Sequence, residues 1–467
     1  MKKLVSLLAA LALGTFSFAE AEFSGGISTV LGMAFPYTKN AWNFVQGLTT
    51  LDGKVSFWQG SSRLYADGSL SFDALKAASS EKKLDFVSGI HSFSGKLKEA
   101  YFDYDGSWWG LRVGRQLETW GAADSLSVTN VLCPKDLTSI SGTDVSENYI
   151  GIDAVKLNFT AGFFSANLYW IPFFTPSPLP LDSGNVLNRL LMPKTVELGS
   201  PLGSIPINPF SNENIEMPEL SLKSGEYAIK AAFYTKFADF SLYGFYGWED
   251  SPLSQYEVKV KEIDMGGGVK KTVPKAISMH GSYQRMAMVG FDTSVPLGDF
   301  VLRLEGAYFP ERYFATSPDY QIKTQIVHIL TTNSVSGLKY DLFQKRHQLV
   351  SLFGFDWIKG DWAVTAQYYA DVLLGNAENL DRNVFSHKTS FSASYSMLGG
   401  TLSLSLSGIV GLNDLDLVVD TSAKYSLTDQ IKLMLGAYVF SPGPKSDGTY
   451  GKYKDISGLV IKGEFNF

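Results

Sequence analysis

The feature that most constrains the fold is the alternation of apolar residues with small or polar residues along many segments. In residues 23–35, Phe23, Ile27 and Leu31 share one phase, while glycine, serine and alanine dominate the other. Successive side chains of a β-strand point to opposite faces of the sheet, so such alternation predicts a strand between two different environments. Similar segments recur along the chain as far as residues 459–467.

The connections between these segments alternate between short and long. Tight turns are predicted at 60–62, 105–106, 161–162, 238–239, 296–299, 359–361, 399–400 and 427–429. Longer loops are predicted at 37–50, 74–95, 118–147, 173–225, 251–283, 310–345, 375–386, 411–414 and 441–454. Short periplasmic turns opposite long extracellular loops are typical of transmembrane barrels. We therefore predict an all-β, antiparallel transmembrane β-barrel of about eighteen strands, with both termini on the periplasmic side.

Composition agrees with a barrel and excludes other classes. Charged residues make up only 18% of the chain and aromatic residues 14%, which excludes disorder. After the N-terminus no apolar run approaches the length of a spanning helix, and a net charge of −6 gives no basic footprint for nucleic acid. The lack of a 20–50-residue repeat disfavours propellers and solenoids. Aromatic residues beside the turns, and others such as Trp120, Tyr169 and Trp170 at the far strand ends, predict two interfacial girdles.

The N-terminus is typical of a secretory signal peptide. A basic start at Lys2 and Lys3 precedes an apolar stretch, and small residues allow cleavage after Ala19 or Ala21. We expect residues 1–21 to be removed and residues 22–467 to form a single barrel. A first strand beginning at about Glu22 would leave no room for an N-terminal plug.

The chain contains one cysteine, Cys133, so no disulfide framework stabilises it. No histidine or acidic residue adjoins Cys133 in the sequence. We expect a small, partly buried loop residue rather than a catalytic one.

The longest predicted loop, 173–225, is rich in proline. Residues 172–218 carry nine of the eighteen prolines, and because proline removes ladder donors we expect no strand there. Residues 185–192 have helical spacing and predict one short helix before Pro193. A loop of this kind could fold into the lumen and narrow it, or lie outside as a lid; the sequence leaves both open.

Two other loops carry patterns of their own. Residues 251–283 predict strands that extend above the membrane around Gly266–Gly268. Residues 321–330 fit helix and strand equally well.

The polar phase of each strand should face the lumen, since a lipid-facing lysine or arginine near mid-membrane costs about 2–4 kcal/mol. The predicted pore-lining residues are Arg63, Asp67, Glu99, Asp103, Arg112, Gln116, Lys156, Lys230, Lys236, Arg303, Glu305, Asp371, Lys388, Asp416, Asp420, Lys424, Lys432, Lys462 and Glu464. Both signs occur, so the wall predicts no clear ion selectivity. For any single residue, a salt bridge that braces the wall is favoured over contact with a solute. Phe465 and Phe467 end the last strand in a pattern that resembles the C-terminal signature read by the barrel-assembly machinery.

Residues 97–180 carry a series of short motifs. They are Lys98–Tyr104, Arg112–Gln116, Trp120-Gly121 with Asp124, Pro134–Leu137, Tyr169–Phe174 and Pro178–Pro180. This order resembles a broad group of outer-membrane barrels related to alginate-export-type porins. The resemblance implies an eighteen-stranded channel but no substrate. Of the export channel's arginine-rich constriction only Arg112 and Arg115 can be matched, and Arg115 falls on the outward phase.

The sequence therefore predicts an outer-membrane channel of a diderm bacterium that admits small hydrophilic solutes. No catalytic, phosphate-binding or metal-binding motif is present, so neither an enzyme nor a cofactor is expected. The expected partners are outer-membrane lipid, lipopolysaccharide or its equivalent, and the barrel-assembly machinery, with no nucleic acid. A surface adhesin that binds through loop 173–225 and a fatty-acid-type transporter remain the alternatives.

Overall fold

The computed structural model describes residues 20–35, 43–79, 92–123, 126, 128–138, 149–181, 185–191, 194–197 and 203–467. Strands are numbered β1–β23 along the chain, and eighteen of those described form one closed antiparallel sheet, which confirms the predicted fold class. The barrel strands are β1 (Glu20–Ala34), β2 (Asn43–Gln59), β3 (Ser62–Asp73), β4 (Phe93–Asp105), β5 (Trp109–Gln116), β6 (Ile152–Ala161), β7 (Phe164–Ile171), β11 (Glu226–Tyr234), β12 (Asp239–Trp248), β15 (Arg285–Leu297), β16 (Phe300–Ala315), β17 (Phe343–Lys359), β18 (Trp362–Leu374), β19 (Phe385–Met397), β20 (Leu402–Gly411), β21 (Asp416–Ser426), β22 (Ile431–Ser441) and β23 (Gly458–Asn466).

The barrel closes where the first and last strands pair. β1 pairs with both β2 and β23, and the C-terminal Phe467 exchanges two backbone hydrogen bonds of 2.9 Å with Gly25. Only glycine fits at position 25, because an added Cβ would stand 2.7 Å from the Asp52 carbonyl oxygen and 2.9 Å from the Phe467 ring. The eight short turns fall where the alternation predicts them, at what we call the turn end; the longer connections leave from the loop end.

The two phases of each strand meet different surroundings. Phe23, Ile27 and Leu31 of β1, like Leu433 and Leu435 of β22, are exposed and form the outer apolar surface. Aromatic pairs such as Trp362–Tyr395 mark the turn end, as predicted. Trp120 and Tyr169, predicted to lie in the girdle at the far ends of the strands, are instead buried inside the barrel, because they pack against each other and against Tyr243.

Segments between the barrel strands build a second small sheet at the loop end. We call this unit the cap: β8 (Thr195–Glu197), β9 (Ser204–Asn208), β10 (Ile215–Glu216), β13 (Leu253–Asp264), β14 (Lys270–Ser282) and the helix α3 (Pro318–Thr332). The other helices are α1 (Ala74–Ser79) and α2 (Val186–Leu191), with 3₁₀ turns at Asn212–Asn214, Leu222–Ser224, Leu398–Gly400 and Gly451–Ile456.

The cap decides three expectations about the loops. The hairpin β13–β14 turns at Gly266–Gly268 as predicted, and residues 321–330 are helical. The expectation that the proline-rich stretch holds no strand is wrong, since β9 contains Pro206. β9 accommodates this proline because the Ile207 amide donates towards β8, to the Lys194 carbonyl, and because pairing with β14 is limited to Ile207 and Asn208.

Helix α3 binds the edge of β13 through two glutamine side chains. The side-chain Oε1 atom of Gln321 accepts a 2.9 Å hydrogen bond from the Tyr256 backbone amide, and that of Gln325 accepts one of 2.9 Å from the Val258 amide. The Gln325 amide also donates to the Tyr256 carbonyl. Side chains four residues apart on the helix thus lie beside backbone amides two residues apart on the strand. The helix therefore covers this edge of the sheet.

Replacing both glutamines (Gln321→Ala with Gln325→Ala) should loosen the cap while leaving the barrel intact. The Tyr256 and Val258 amides would stay buried without acceptors, at a cost of about 1–3 kcal/mol each. Hydrogen–deuterium exchange of these two amides should accelerate by at least about tenfold. Lys323→Ala, on the exposed side of the same helix, is the control. Unchanged exchange in the double variant would contradict this role.

Candidate functional site

The connection between β5 and β6 folds into the barrel and forms the candidate functional site. We call the described residues 117–123, 126 and 128–138 the constriction loop. Its side chains Trp120, Leu126, Val128 and Leu132 are buried. They share one hydrophobic cluster with inward-facing residues of β6, β7, β11, β12 and β15–β17, among them Ile152, Tyr243, Met288, Phe309 and Leu352. The loop therefore lies against one half of the inner wall.

A single carboxylate from a strand distant in the sequence holds this loop. Glu305 of β16 is fully buried and faces inward. One of its oxygens accepts hydrogen bonds from the Thr129 amide (2.6 Å) and hydroxyl (2.7 Å). The other accepts from the amides of Ala122 (3.2 Å) and Ala123 (3.1 Å). Four donors satisfy a charge that burial would otherwise make very costly.

Neighbouring groups reinforce this attachment. The Arg303 guanidinium donates to the Ala122 carbonyl (2.7 Å) and pairs with Asp356 (2.6 Å). The Tyr243 hydroxyl donates to Asp292 and accepts from the Gly121 amide. Gly121 has a φ of +90°, and a Cβ there would stand 2.4 Å from Glu305 Oε1, so only glycine lets the backbone approach this closely.

The start of the constriction loop is fixed by a charged network. Glu118 accepts hydrogen bonds from Lys156 (2.6 Å) and from the Tyr169 hydroxyl (2.9 Å). Arg112 lies 3.9 Å from the same carboxylate and forms a two-pronged pair with Asp103. Three predicted pore-lining charges are thus occupied in bracing the wall.

The single thiol lies inside this loop. Cys133 is 1% exposed, and its sulfur accepts a hydrogen bond from the Glu118 amide. Burial raises the pKa of the Cys133 thiol to about 12. Since the thiolate is the reactive form, Cys133 should be inert while the loop stays in place.

Part of the long loop after β7 lies inside the barrel, at α2, whereas β8–β10 of the same loop belong to the cap. Leu187 of α2 packs against Tyr438, Phe440 and Val460, whose phase on β22 and β23 faces the lumen. The Asn185 side chain donates to the Thr138 carbonyl (2.6 Å) and so joins this segment to the constriction loop.

A cavity of about 420 Å³ lies between the constriction loop and the wall of β16–β18. Its apolar surface includes Val128, Phe309 and Val350. Its polar lining includes Lys135, Glu249, Arg312, Gln348, Asp371 and Arg382. Apolar surface combined with a few converging polar groups is typical of a small-molecule site.

Most charges of the cavity are paired with each other. Arg312 contacts Glu249 at 2.5 and 2.6 Å, and Arg382 donates to Asp371 at 2.8 Å. Lys135, by contrast, has no carboxylate within 4 Å among the described residues and lies over the Tyr149 ring. Lys388 also has no carboxylate within 4 Å among the described residues. Its ammonium lies 4.7 Å from the ring of Tyr369, which lines the cavity. Beside the cavity, two cations therefore have no direct ion-pair partner among the described residues.

The strand registers locate the predicted pore-lining residues. On the inward phase lie Arg63, Asp67, Glu99, Asp103, Arg112, Gln116, Lys156, Lys230, Arg303, Glu305, Asp371, Lys388, Asp416, Asp420, Lys424, Lys432, Lys462 and Glu464. Lys236 is the exception: it lies in the exposed turn between β11 and β12, because β11 ends at Tyr234. Arg115 pairs with Asp153 at 2.7 Å on the outward phase, where the alternation placed it.

Several important residues escaped the sequence analysis. Glu118, Glu249, Arg312 and Arg382 lie outside or at the ends of regular alternation, so no periodicity marked them. The apolar side chains of residues 120–133 were the available signal, since an exposed loop has little use for tryptophan, leucine and valine.

Comparisons with known proteins give a fold likeness only. OccK1 (OpdK) of Pseudomonas aeruginosa is similar at 8% identity over 96% of this chain and 98% of that chain, with a TM-score of 0.48. OccK2 (OpdF) of the same organism is similar at 9% identity over 96% of this chain and 97% of that chain, with a TM-score of 0.48. A BenF-like porin of Pseudomonas fluorescens is similar at 9% identity over 97% and 98%, with a TM-score of 0.49. No family model and no curated protein matches the sequence. The strand pairing of the chain itself establishes the barrel.

Two further observations concern the described residues alone. No three His, Cys, Asp or Glu side chains come together among them in an arrangement that would hold a metal ion. None of the helices described is both long and apolar enough to cross a membrane.

Proposed function

We propose that this protein is an outer-membrane channel for selective diffusion of small hydrophilic solutes. The observation that carries the proposal is an eighteen-stranded barrel with an apolar outer surface and charges on its inner phase. Eight-stranded barrels are filled by side chains, whereas barrels of sixteen to eighteen strands enclose a channel that loops can narrow. The inward constriction loop and α2 supply that narrowing.

The cavity beside the constriction loop supports selectivity. At about 420 Å³ it has room for a small organic molecule, and its lining combines apolar surface with arginine, lysine and carboxylate groups. Solutes that fit this lining would pass more readily than others of the same size.

The same features support the proposed location and partners. The apolar outer surface fits outer-membrane lipid and lipopolysaccharide or its equivalent, in a diderm bacterium. Phe467 pairs with Gly25 where the first and last strands meet. This position is consistent with a C-terminal strand that the barrel-assembly machinery recognises. The resemblance of residues 97–180 to barrels related to alginate-export-type porins supports the same class.

Planar-bilayer recording of the refolded protein tests this function. We expect discrete conductance steps, and blockage or slowing by solutes that enter the cavity. Samples should first show a mobility difference between boiled and unboiled gel lanes, which reports a closed barrel. A protein that shows this difference but conducts no ions would refute the channel.

A further inference from the structure

We propose that Glu305 is the latch that sets the width of this channel: its carboxylate fixes the constriction loop against the wall, and its loss opens the lumen. The inference rests on the proposed channel function. It makes Glu305 a positioning residue that acts on solutes through the loop.

The Glu305 carboxylate alone makes four of the hydrogen bonds that attach the constriction loop to the wall. Among the described residues, Glu305 accepts four hydrogen bonds, all from Ala122, Ala123 and Thr129, which lie 176 to 183 positions earlier in the chain. Three of the four donors are backbone amides, so the carboxylate fixes the path of the loop rather than one side chain. A carboxylate can accept from all four donors, whereas an amide in its place presents N–H groups to backbone N–H groups.

The latch can be released from either side. Glu305→Gln removes the charge and places donors against the Ala122 and Ala123 amides. Gly121→Ala removes no charge and no donor, but its Cβ would stand 2.4 Å from Glu305 Oε1 at a φ of +90°. Two unrelated changes should therefore give one phenotype.

A matched control separates loop release from loss of charge. Glu464 of β23 shares the inward phase and pairs with Lys462 at 2.5 Å and Lys424 at 3.6 Å, away from the constriction loop. Glu464→Gln thus removes one lumenal negative charge without touching the loop.

The chain contains its own reporter of loop position. Cys133 is the only cysteine and is buried in the constriction loop. Release should expose it to a water-soluble maleimide, and the labelling rate should rise by roughly tenfold or more, because hydrogen bonds to a buried charge are lost. Conductance and labelling together distinguish a moved loop from a merely weaker barrel.

The test measures Cys133 labelling and single-channel conductance in wild type, Glu305→Gln, Gly121→Ala and Glu464→Gln. We expect both latch variants to label faster and to conduct at least about twofold more, while Glu464→Gln labels as slowly as wild type. Should Glu305→Gln fail to refold, Thr129→Val, which removes one donor, should show a smaller rise in both measurements.

The outcomes separate the two proposals. A conducting wild type with latch variants of unchanged conductance overturns the latch, whether or not Cys133 becomes accessible. A folded wild type without conductance refutes the channel itself.

Discussion

Replacing Arg312 by alanine should destabilise the protein more than any other single change at the cavity. The Arg312 guanidinium forms two short hydrogen bonds to Glu249 and donates to the Gln348 side chain at 2.8 Å. Gln348 in turn donates to Asp371, which also binds Arg382. The network joins β16, β17, β18 and the segment that follows β12. Its removal would leave the Glu249 carboxylate, 8% exposed, without a counter-charge.

The expected loss is about 3 kcal/mol in the free energy of unfolding. Removing one partner of a buried ion pair costs about 3–5 kcal/mol. The lower end applies because the Arg312 side chain is 25% exposed. Urea unfolding in detergent, followed by tryptophan fluorescence, measures this loss.

An exposed control pair and a double-mutant cycle test the coupling between Arg312 and Glu249. Lys345→Met breaks the exposed pair with Glu311 close by in the same sheet, and should change stability little. The double change Arg312→Met with Glu249→Met removes both charges and should recover part of the loss. If the effects of the two single methionine changes simply add in the double variant, the two side chains are not coupled and the explanation is wrong.

The barrel could be predicted from sequence because the patterns that determine it lie within single strands and turns. Alternation along each strand follows from a lipid face and a lumenal face, and residues such as Asp105 and Gly106 mark the turns between strands. Pairing of consecutive strands then needs no long-range information. The same reasoning placed Glu305 and Lys388 on the inward phase. It failed for Lys236 because periodicity does not mark where a strand stops.

The constriction could not be predicted because its causes are distant in sequence. Nothing near Glu305 indicates that residues 122–129 will bind it, and nothing near Leu187 indicates a place against Tyr438. Loop backbones also satisfy their hydrogen bonds irregularly, so they leave no period to detect. Pro206 illustrates the same point. Proline is disfavoured in the middle of a barrel strand, but a five-residue strand with short pairings to its neighbours can contain it.

The two cations without a direct ion-pair partner should govern the ion preference of the channel. Lys135 and Lys388 lie beside the cavity, each over a tyrosine ring and without a carboxylate within 4 Å among the described residues. At an effective dielectric constant of about 20, a charge roughly 15 Å from a passing ion contributes about 1 kcal/mol. Removing one positive charge weakens the attraction of chloride and the repulsion of potassium, so it should lower the chloride-to-potassium permeability ratio by at least about fivefold, and removing both should lower it further.

Reversal potentials under a potassium chloride gradient measure this ratio for Lys135→Gln, Lys388→Gln and the double variant. Lys236→Gln removes the same charge from an exposed turn and should leave the ratio at its wild-type value. High salt should shrink the difference between the variants, because screening shortens the reach of each charge. If the double variant keeps the wild-type ratio at low salt, ions do not pass near the cavity, and the selective path lies elsewhere in the lumen.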